Sequence, residues 1–339
     1  MRICVLCGGR SNERDVSISS GTMIARALRS SGHEVVLLDV CDGMELGGHS
    51  AEELYSLSLP IPDYVIPDTA PDVSHYFTRS EGFFGKNVLD ICRAADIVFN
   101  ALHGDEGENG KLQAVFDLLG IRYTGSGMEG CLLAMNKSLS KQLFLENGIP
   151  TPPHIVISDG SDAAPDSIGF PCVVKPGSLG SSIGVSIAHD EAELDAALKN
   201  ASSYEDLIII EKYIHGREFS VGVVGGRALP AIEIVPKTGF YDYRNKYQAG
   251  CTGEICPAEL SEEEASVLAE AAVRVCRALN LGAYARVDFM MDETGIYCLE
   301  ANTLPGMTPI SLLPQEARAM GIELPQLLEM IFEESMKIR

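Results

Sequence analysis

The sequence is short of positive charge. Its 339 residues hold 26 Lys and Arg against 48 Asp and Glu, a formal net charge of -22. That balance lacks the basic footprint that nonspecific nucleic-acid binding requires, and it disfavours docking on anionic membranes. The acidic excess is spread along the chain and reads as a solubility feature. Long apolar runs are missing as well. None approaches transmembrane length, and the apolar stretch Ile3 to Leu6, ahead of Gly8-Gly9-Arg10, is too short for a signal h-region. Neither nucleic acid nor membrane is therefore an expected partner, and the expected compartment is cytoplasmic. No pair of Cys-x-x-Cys units with zinc spacing occurs among the ten cysteines; Cys251 and Cys256 come nearest to a second pair. Cys4 and Cys7 lie on the expected first strand, where residues three apart point to opposite faces. Cys172 and Cys298 sit inside apolar runs as small hydrophobes. Long repeats, low-complexity tracts and a Walker A loop are all absent.

What is present is an ordinary globular composition, 46% hydrophobic and 22% charged. The length suits two or three domains, with a core large enough to need no disulfides. The N-terminal part reads as α/β. Strands are expected at Arg2 to Leu6, Val35 to Leu38 and Asp96 to Asn100, with an amphipathic helix from Val16 to Ser30. Short apolar strands alternating with helices imply a parallel sheet covered by helices. The Asp42–Lys86 stretch reads as an elaborated loop.

A second segment begins near Gly125. Asn136 should cap a helix running to about Asn147. A strand over Pro171 to Lys175 follows, then a glycine-rich loop, a helix opened by a capping-box pattern at Asp190 to Glu193, and a strand over Leu207 to Glu211. The last segment offers an alternating strand over Glu218 to Val224 and a capping box at Ser261 to Glu264. Strands at Ala285 to Met291 and Ile296 to Ala301 are joined by the hairpin residues Asp292 to Gly295.

Three constellations carry chemistry. On the C-terminal hairpin, Arg286 and Asp288 share one face, as do Glu300 and Asn302. If the strands pair, two carboxylates and an amide oxygen gather as hard ligands suited to Mg²⁺, beside an arginine able to stabilise an oxyanion. The same face could instead be a solvated one with ordinary cross-strand pairs. The loop from Lys175 to Gly184 places a lysine at the stem of small residues whose N–H groups can cradle phosphates; a flexible hairpin tip is the plainer reading. The polar runs Gly8 to Ser17 and Ala101 to Gly110 both follow strand ends, where open α/β sheets bind ligands. A formal G-x-G-x-x-G at Gly125 to Gly130 keeps an NAD-type nucleotide-binding protein open as an alternative from another class.

Taken in order, these stretches resemble the D-alanine–D-alanine ligase family of the ATP-grasp superfamily. The likeness covers nearly the whole chain. It is carried by Gly8 to Ser17, Ala101 to Gly104, Tyr123 to Gly127, Lys175 to Gly184, Phe240 to Tyr247, Cys256 to Ala258 and, most diagnostic, Leu299 to Thr308. The resemblance implies an α/β fold, α+β in the C-terminal half, with an N-terminal parallel-sheet pre-ATP-grasp domain followed by a two-part ATP-grasp fold. The expected domains are an N-terminal substrate domain (1–124), a central ATP-grasp subdomain (125–213) and a C-terminal catalytic domain (214–339). ATP would lie between the last two.

The family's chemistry is ligation of two D-alanines through a D-alanyl phosphate. The residues matching the family's pattern imply the following roles. Glu13 would hold the ammonium of the first D-alanine, with His103 nearby and Ser181 linking Glu13 to Tyr247. Lys137, Lys175 and Ser182 would meet the ATP phosphates, and Lys246, on the mobile loop, the γ-phosphate. Glu211, Lys212 and Ile214 match the adenine-binding segment, and Glu218 the ribose ligand. Asp288, Glu300 and Asn302 match ligands for two Mg²⁺ ions, with Mn²⁺ as a possible substitute. Arg286 and the Gly306 N–H would stabilise the oxyanion. Ser311 and Leu312 would form the second D-alanine pocket, with Tyr243 also on the substrate side. Tyr243, Lys246, Tyr247 and Leu312 fit a D-alanine ligase; a D-lactate or D-serine ligase is the nearer alternative. A homodimer and a place in peptidoglycan precursor synthesis are further family expectations.

Overall fold

The computed structural model describes residues 1–67, 69, 71–80, 82–158, 167–236, 252–308 and 310–338. Its first sheet is parallel, with β1 (Arg2–Cys7) between β2 (Glu34–Asp39) and β3 (Ile97–Asn100). Period-2 alternation on β1 decides what packs where. Ile3 and Val5 face a core shared with the Arg14–Ser30 helix and the C-terminal Leu324–Ile338 helix. Cys4 and Leu6 face the opposite core, which takes in Leu54, Tyr55 and Tyr76 from the long 42–86 stretch. That stretch behaves as an elaborated loop: it forms two four-residue helices, Glu53–Ser56 and Ser74–Phe77, and covers one face of the sheet.

Phe99 stacks edge-on against Phe332 with ring centroids 5.6 Å apart. The end of the chain is thereby built into the N-terminal core, which brings the loop after the last strand close to the ends of β1 and β3. Cys4 Sγ lies 4.0 Å from Cys92 Sγ, and Cys4, Cys7, Cys172 and Cys298 are all buried. This matches their reading as small hydrophobes; Cys251 lies outside the described residues.

The second sheet is antiparallel, in the order β4 (His154–Ile157), β7 (Ile208–Lys212), β5 (Cys172–Pro176), β6 (Ser186–Ala188). It packs on the Glu191–Ser202 helix through Leu194, Ala197 and Ala201. Asp190 caps that helix by accepting from the Glu193 N–H at 2.9 Å. The expected capping box is only half formed: the Glu193 carboxylate accepts from the His189 N–H instead of that of Asp190. Asn136 caps the Lys137–Glu146 helix as its sequence predicts.

The third sheet has six strands. β8 (Arg217–Val224) lies between β10 (Ile232–Pro236) and β12 (Tyr284–Asp292), with β11 (Thr252–Ile255) and β13 (Gly295–Asn302) at the edges and β9 (Arg227–Ala228) paired to β8. The expected alternation on β8 is not seen: Phe219 to Val224 are buried throughout. The cause is cover on both faces. The Glu262–Ala278 helix lies on one, and Leu313 and Glu316 of the Leu312–Ala319 helix reach Gly222 on the other. Ser261 and Glu264 form the full capping box expected of them. Among the described residues, no helix is long and apolar enough to cross a membrane.

Candidate active site

The hairpin predicted from residue spacing is real. β12 and β13 pair with Arg286 opposite Asn302 and Asp288 opposite Glu300, before a register shift between Asp288 and Phe289. Period 2 therefore places all four side chains on one face. Asp288 is nearly enclosed at 6% exposure. Its carboxylate accepts from Arg286 Nε and Nη2 at 2.9 and 2.8 Å, from Ser220 Oγ at 2.7 Å and from Asn302 Nδ2 at 3.0 Å. Glu300 pairs with Lys137 Nζ at 3.1 Å. The plainer reading, a solvated strand face, fails on this burial and on the interlocked bonds.

Two cavities meet at this face. The larger, about 390 Å³, opens between the second and third sheets. Val173 and Ile187 line one wall and Ile234, Met290 and Leu299 the other, so its middle is an apolar slot. Polar groups ring the slot: Lys137, Lys175, Ser182, Glu211, Lys212, the Ile214 segment, Glu218, Asp288 and Glu300 all line it. Lys137 starts its helix and donates to the Leu179 carbonyl in the glycine-rich loop at 2.8 Å. Ser181 and Ser182 both hold positive φ, 52° and 57°. That strained backbone is characteristic of functional turns.

Beneath the slot lies a buried ion cluster. Glu211 pairs with Lys175 at 2.6 Å and Lys141 at 2.8 Å. Burial alone would push the Glu211 carboxyl up, but the two ammonium groups outweigh it and hold it at about 2.

The smaller cavity, about 90 Å³, adjoins the Arg286–Asn302 end of the same face. Glu13, His103, Ser181, Arg286, Asn302, Gly306, Ser311 and Leu312 line it, joined by Glu108. Ser181 donates to Glu13, which ties the glycine-rich loop to the N-terminal part of the chain. Burial lowers the pKa of His103, against the pull of the Glu13 charge. Ser311 precedes the Leu312–Ala319 helix, and its Oγ accepts from the Thr308 N–H at 3.0 Å. A Cβ on Gly306 would come within 2.7 Å of that Oγ, so only glycine fits there without a shift.

Every predicted site residue among the described ones thus lines one of two adjoining cavities. Tyr243, Lys246 and Tyr247 lie outside the described residues. Three buried groups, Lys141, Ser20 and Glu316, and the half-buried Glu108 escaped the sequence reading. Lys141 stands one turn after Lys137 on the same helix, a spacing that could have pointed to it. Glu108 belongs to a polar run already singled out; burial and then the Glu13 charge raise its carboxyl to about 7. Ser20 sits on the Arg14–Ser30 helix, 3.2 Å from His103 Nε2. Glu316 accepts the Gly222 N–H at 2.5 Å, and burial drives its carboxyl well above the usual range.

The arrangement can bind a ligand with an apolar planar part and a polyanionic tail in the larger cavity, with a small zwitterion in the other. Among the described residues no three His, Cys, Asp or Glu side chains form a metal cage. Asp288, Glu300 and the Asn302 amide are instead a partial set of hard oxygen donors. Such a set fits a Mg²⁺ ion that brings its remaining ligands with a nucleotide.

Comparison with known proteins follows the same lines. Residues 2–126 match the family described as D-ala D-ala ligase N-terminus, and residues 143–333 match D-ala D-ala ligase C-terminus. A D-alanine–D-alanine ligase of Pediococcus pentosaceus is 49% identical, over 98% of this chain and 96% of its own length. One from Lacticaseibacillus casei is 43% identical over 100% of this chain and 96% of its own. The crystal structure of the D-alanine–D-alanine ligase from Bacillus anthracis superposes with a TM-score of 0.80 at 33% identity, covering 100% of this chain and 98% of that one. The same enzyme complexed with ATP gives 0.78 at 32% identity, covering 100% and 97%.

Proposed function

The chain belongs to the D-alanine–D-alanine ligase family, and on that premise we propose how its residues divide the work of joining two D-alanines at the expense of ATP. The activity is that of an ATP-dependent ligase of peptidoglycan precursor synthesis. The readings as a D-lactate or D-serine ligase, or as an NAD-type protein, are not favoured by the relatives it matches. Gly130 of the NAD-like segment has a packing reason: a Cβ there would lie 2.5 Å from the Asn280 carbonyl.

In this reading the larger cavity takes ATP. The base enters the apolar slot, with Glu211, Lys212 and Ile214 along its edge and Glu218 toward the ribose. Lys137, Lys175 and Ser182 meet the phosphates, and Lys246 is assigned to the γ-phosphate. The smaller cavity takes the amino acids. Glu13, beside His103, holds the first ammonium; Ser311 and Leu312 form the pocket for the second D-alanine, and Tyr243 is assigned to the substrate side. Ser181 and Tyr247 complete the link to Glu13.

The first D-alanine carboxylate attacks the γ-phosphorus, forming D-alanyl phosphate and releasing ADP. The second D-alanine, as free amine, then attacks the acyl carbon. The C–O bond to phosphate breaks from a tetrahedral intermediate, and the amine proton is lost. Arg286 and the Gly306 N–H face the oxyanion of that intermediate, where fixed donors are worth most.

Asp288, Glu300 and Asn302 would hold Mg²⁺, which when bound supplies neutralisation of the phosphate charge. Domain limits at 1–124, 125–213 and 214–339, a homodimeric state and a cytoplasmic location belong to the same proposal.

The observation that carries the reading is the hairpin face itself: Arg286 and Asn302 border one cavity while Asp288 and Glu300 border the other. Glu300→Gln keeps the packing but removes one hard ligand. The Mg²⁺ concentration giving half-maximal turnover should rise about tenfold or more. An unchanged Mg²⁺ dependence would refute the metal role of Glu300.

A further inference from the structure

The loop that carries Gly306 follows β13, yet its backbone is held from the N-terminal part of the chain. Ahead of Gly306, the Leu304 N–H donates to Glu108 Oε1 at 3.3 Å, and Thr303 Oγ1 reaches the same oxygen at 3.5 Å. After Gly306, the Met307 N–H donates to Ser20 Oγ at 3.4 Å. Both anchors are themselves fixed. Glu108 Oε2 accepts the Gly104 N–H at 2.6 Å, in the turn after β3. Ser20 Oγ lies 3.2 Å from His103 Nε2, and Ser20 rides on the helix that Glu13 precedes. Leu304 and Met307 are buried at 3% and 1%, so the loop has little freedom to reorient.

We infer that Glu108 and Ser20 are positioning residues for catalysis, forming an N-terminal clamp that aims the Gly306 N–H at the oxyanion. This deepens the reading above and rests on its assignment of Gly306 as an oxyanion donor. The physical case is one of preorganisation. A backbone donor contributes only if it already points at the place where charge will develop, and a misplacement of about 1 Å can cost on the order of a hundredfold. Gly306 cannot be steered by a side chain, having none. Its N–H direction is set by its neighbours, and both flanking N–H groups end on residues more than 190 positions earlier in the sequence. The same two segments, Glu13 to Ser20 and His103 to Glu108, supply Glu13 and His103, which the reading above assigns to the first substrate. Seating that substrate and aiming the oxyanion donor therefore share one scaffold.

The test compares Ser20→Ala, Glu108→Gln and Arg286→Lys by steady-state kinetics and by inhibition with a phosphinic dipeptide analogue that mimics the tetrahedral intermediate. Ser20→Ala and Glu108→Gln should each lose roughly tenfold in kcat. Their KM values for ATP and for D-alanine should stay within about twofold, and inhibitor affinity should fall in step with kcat/KM. The double variant should lose less than the product of the single losses, because both act through one loop. A change confined to KM, or unchanged kcat in Ser20→Ala, overturns the inference. Ser20→Ala removes only one hydroxyl, so it carries the test even if Glu108→Gln does not fold. Arg286→Lys separates the two levels. If it leaves inhibitor affinity unchanged, the oxyanion reading itself fails. If Arg286→Lys weakens the inhibitor while the two clamp variants do not, the clamp alone is wrong.

Discussion

Replacing Lys141 with methionine should cost the fold about 3–5 kcal/mol, the range for breaking a buried ion pair by removing one member. The Lys141 side chain is 0% exposed, its Nζ lying 2.8 Å from Glu211 Oε2 and 2.7 Å from Thr151 Oγ1. Thr151 in turn donates to the Cys298 carbonyl at 2.8 Å, so the ammonium anchors the second sheet to β13. Glu211 has a folded pKa near 2 against an ordinary 4.5. A carboxylate depressed in the folded state stabilises above its unfolded value and loses that contribution as pH falls through the folded one. The displacement corresponds to about 3 kcal/mol at neutral pH. Burial depresses the pKa of Lys141 itself, and that desolvation offsets part of the gain. The pair's net worth is therefore smaller than the loss on removing one member, which leaves the burial of Glu211 to Lys175 alone. Urea unfolding at pH 7 of the wild type, Lys141→Met, Glu211→Gln and the double variant measures this. The coupling energy should be about 1.5–3 kcal/mol. In acid, Lys141→Met should begin to lose stability at a higher pH than the wild type. A loss below about 1 kcal/mol together with negligible coupling would refute the reasoning.

Two further variants probe other levels. Arg286→Ala should abolish turnover while ATP binding, read by nucleotide titration, stays largely intact; the barrier should rise by about 3–4 kcal/mol, and near-normal turnover would disprove the oxyanion role. Ser261→Ala removes half of a capping box whose two residues line neither cavity. It should cost about 1 kcal/mol of stability with kcat unchanged, and a fall in kcat would show that the Glu262–Ala278 helix has a role beyond support.

What the sequence made legible was local or periodic. The β12–β13 hairpin announced itself by turn residues and alternation, and its functional face followed from a period of two. Asn136 and Ser261 marked helix starts through the same hydrogen bonds the structure contains. Burial on β8 was misjudged because alternation reports one covered face, while helices cover both. Gly130 fits the NAD-like motif because close backbone packing and phosphate approach select the same residue. The clamp residues were invisible for a different reason. The Ser20–Met307 bond spans 287 positions, and nothing in either local pattern records the other. Lys141 and Glu316 were hidden by chemistry, since charged residues on helices are ordinarily solvated and only packing shows these two to be enclosed.

The central claim is that two cavities sharing one hairpin face activate a D-alanine carboxylate with ATP and deliver it to a second D-alanine. Phosphate release from ATP and Mg²⁺ tests it most directly, measured with D-alanine, L-alanine, D-lactate or D-serine added. The account predicts release driven by D-alanine, in step with formation of D-alanyl-D-alanine. Release that ignores D-alanine, or that another acceptor drives better, would contradict it.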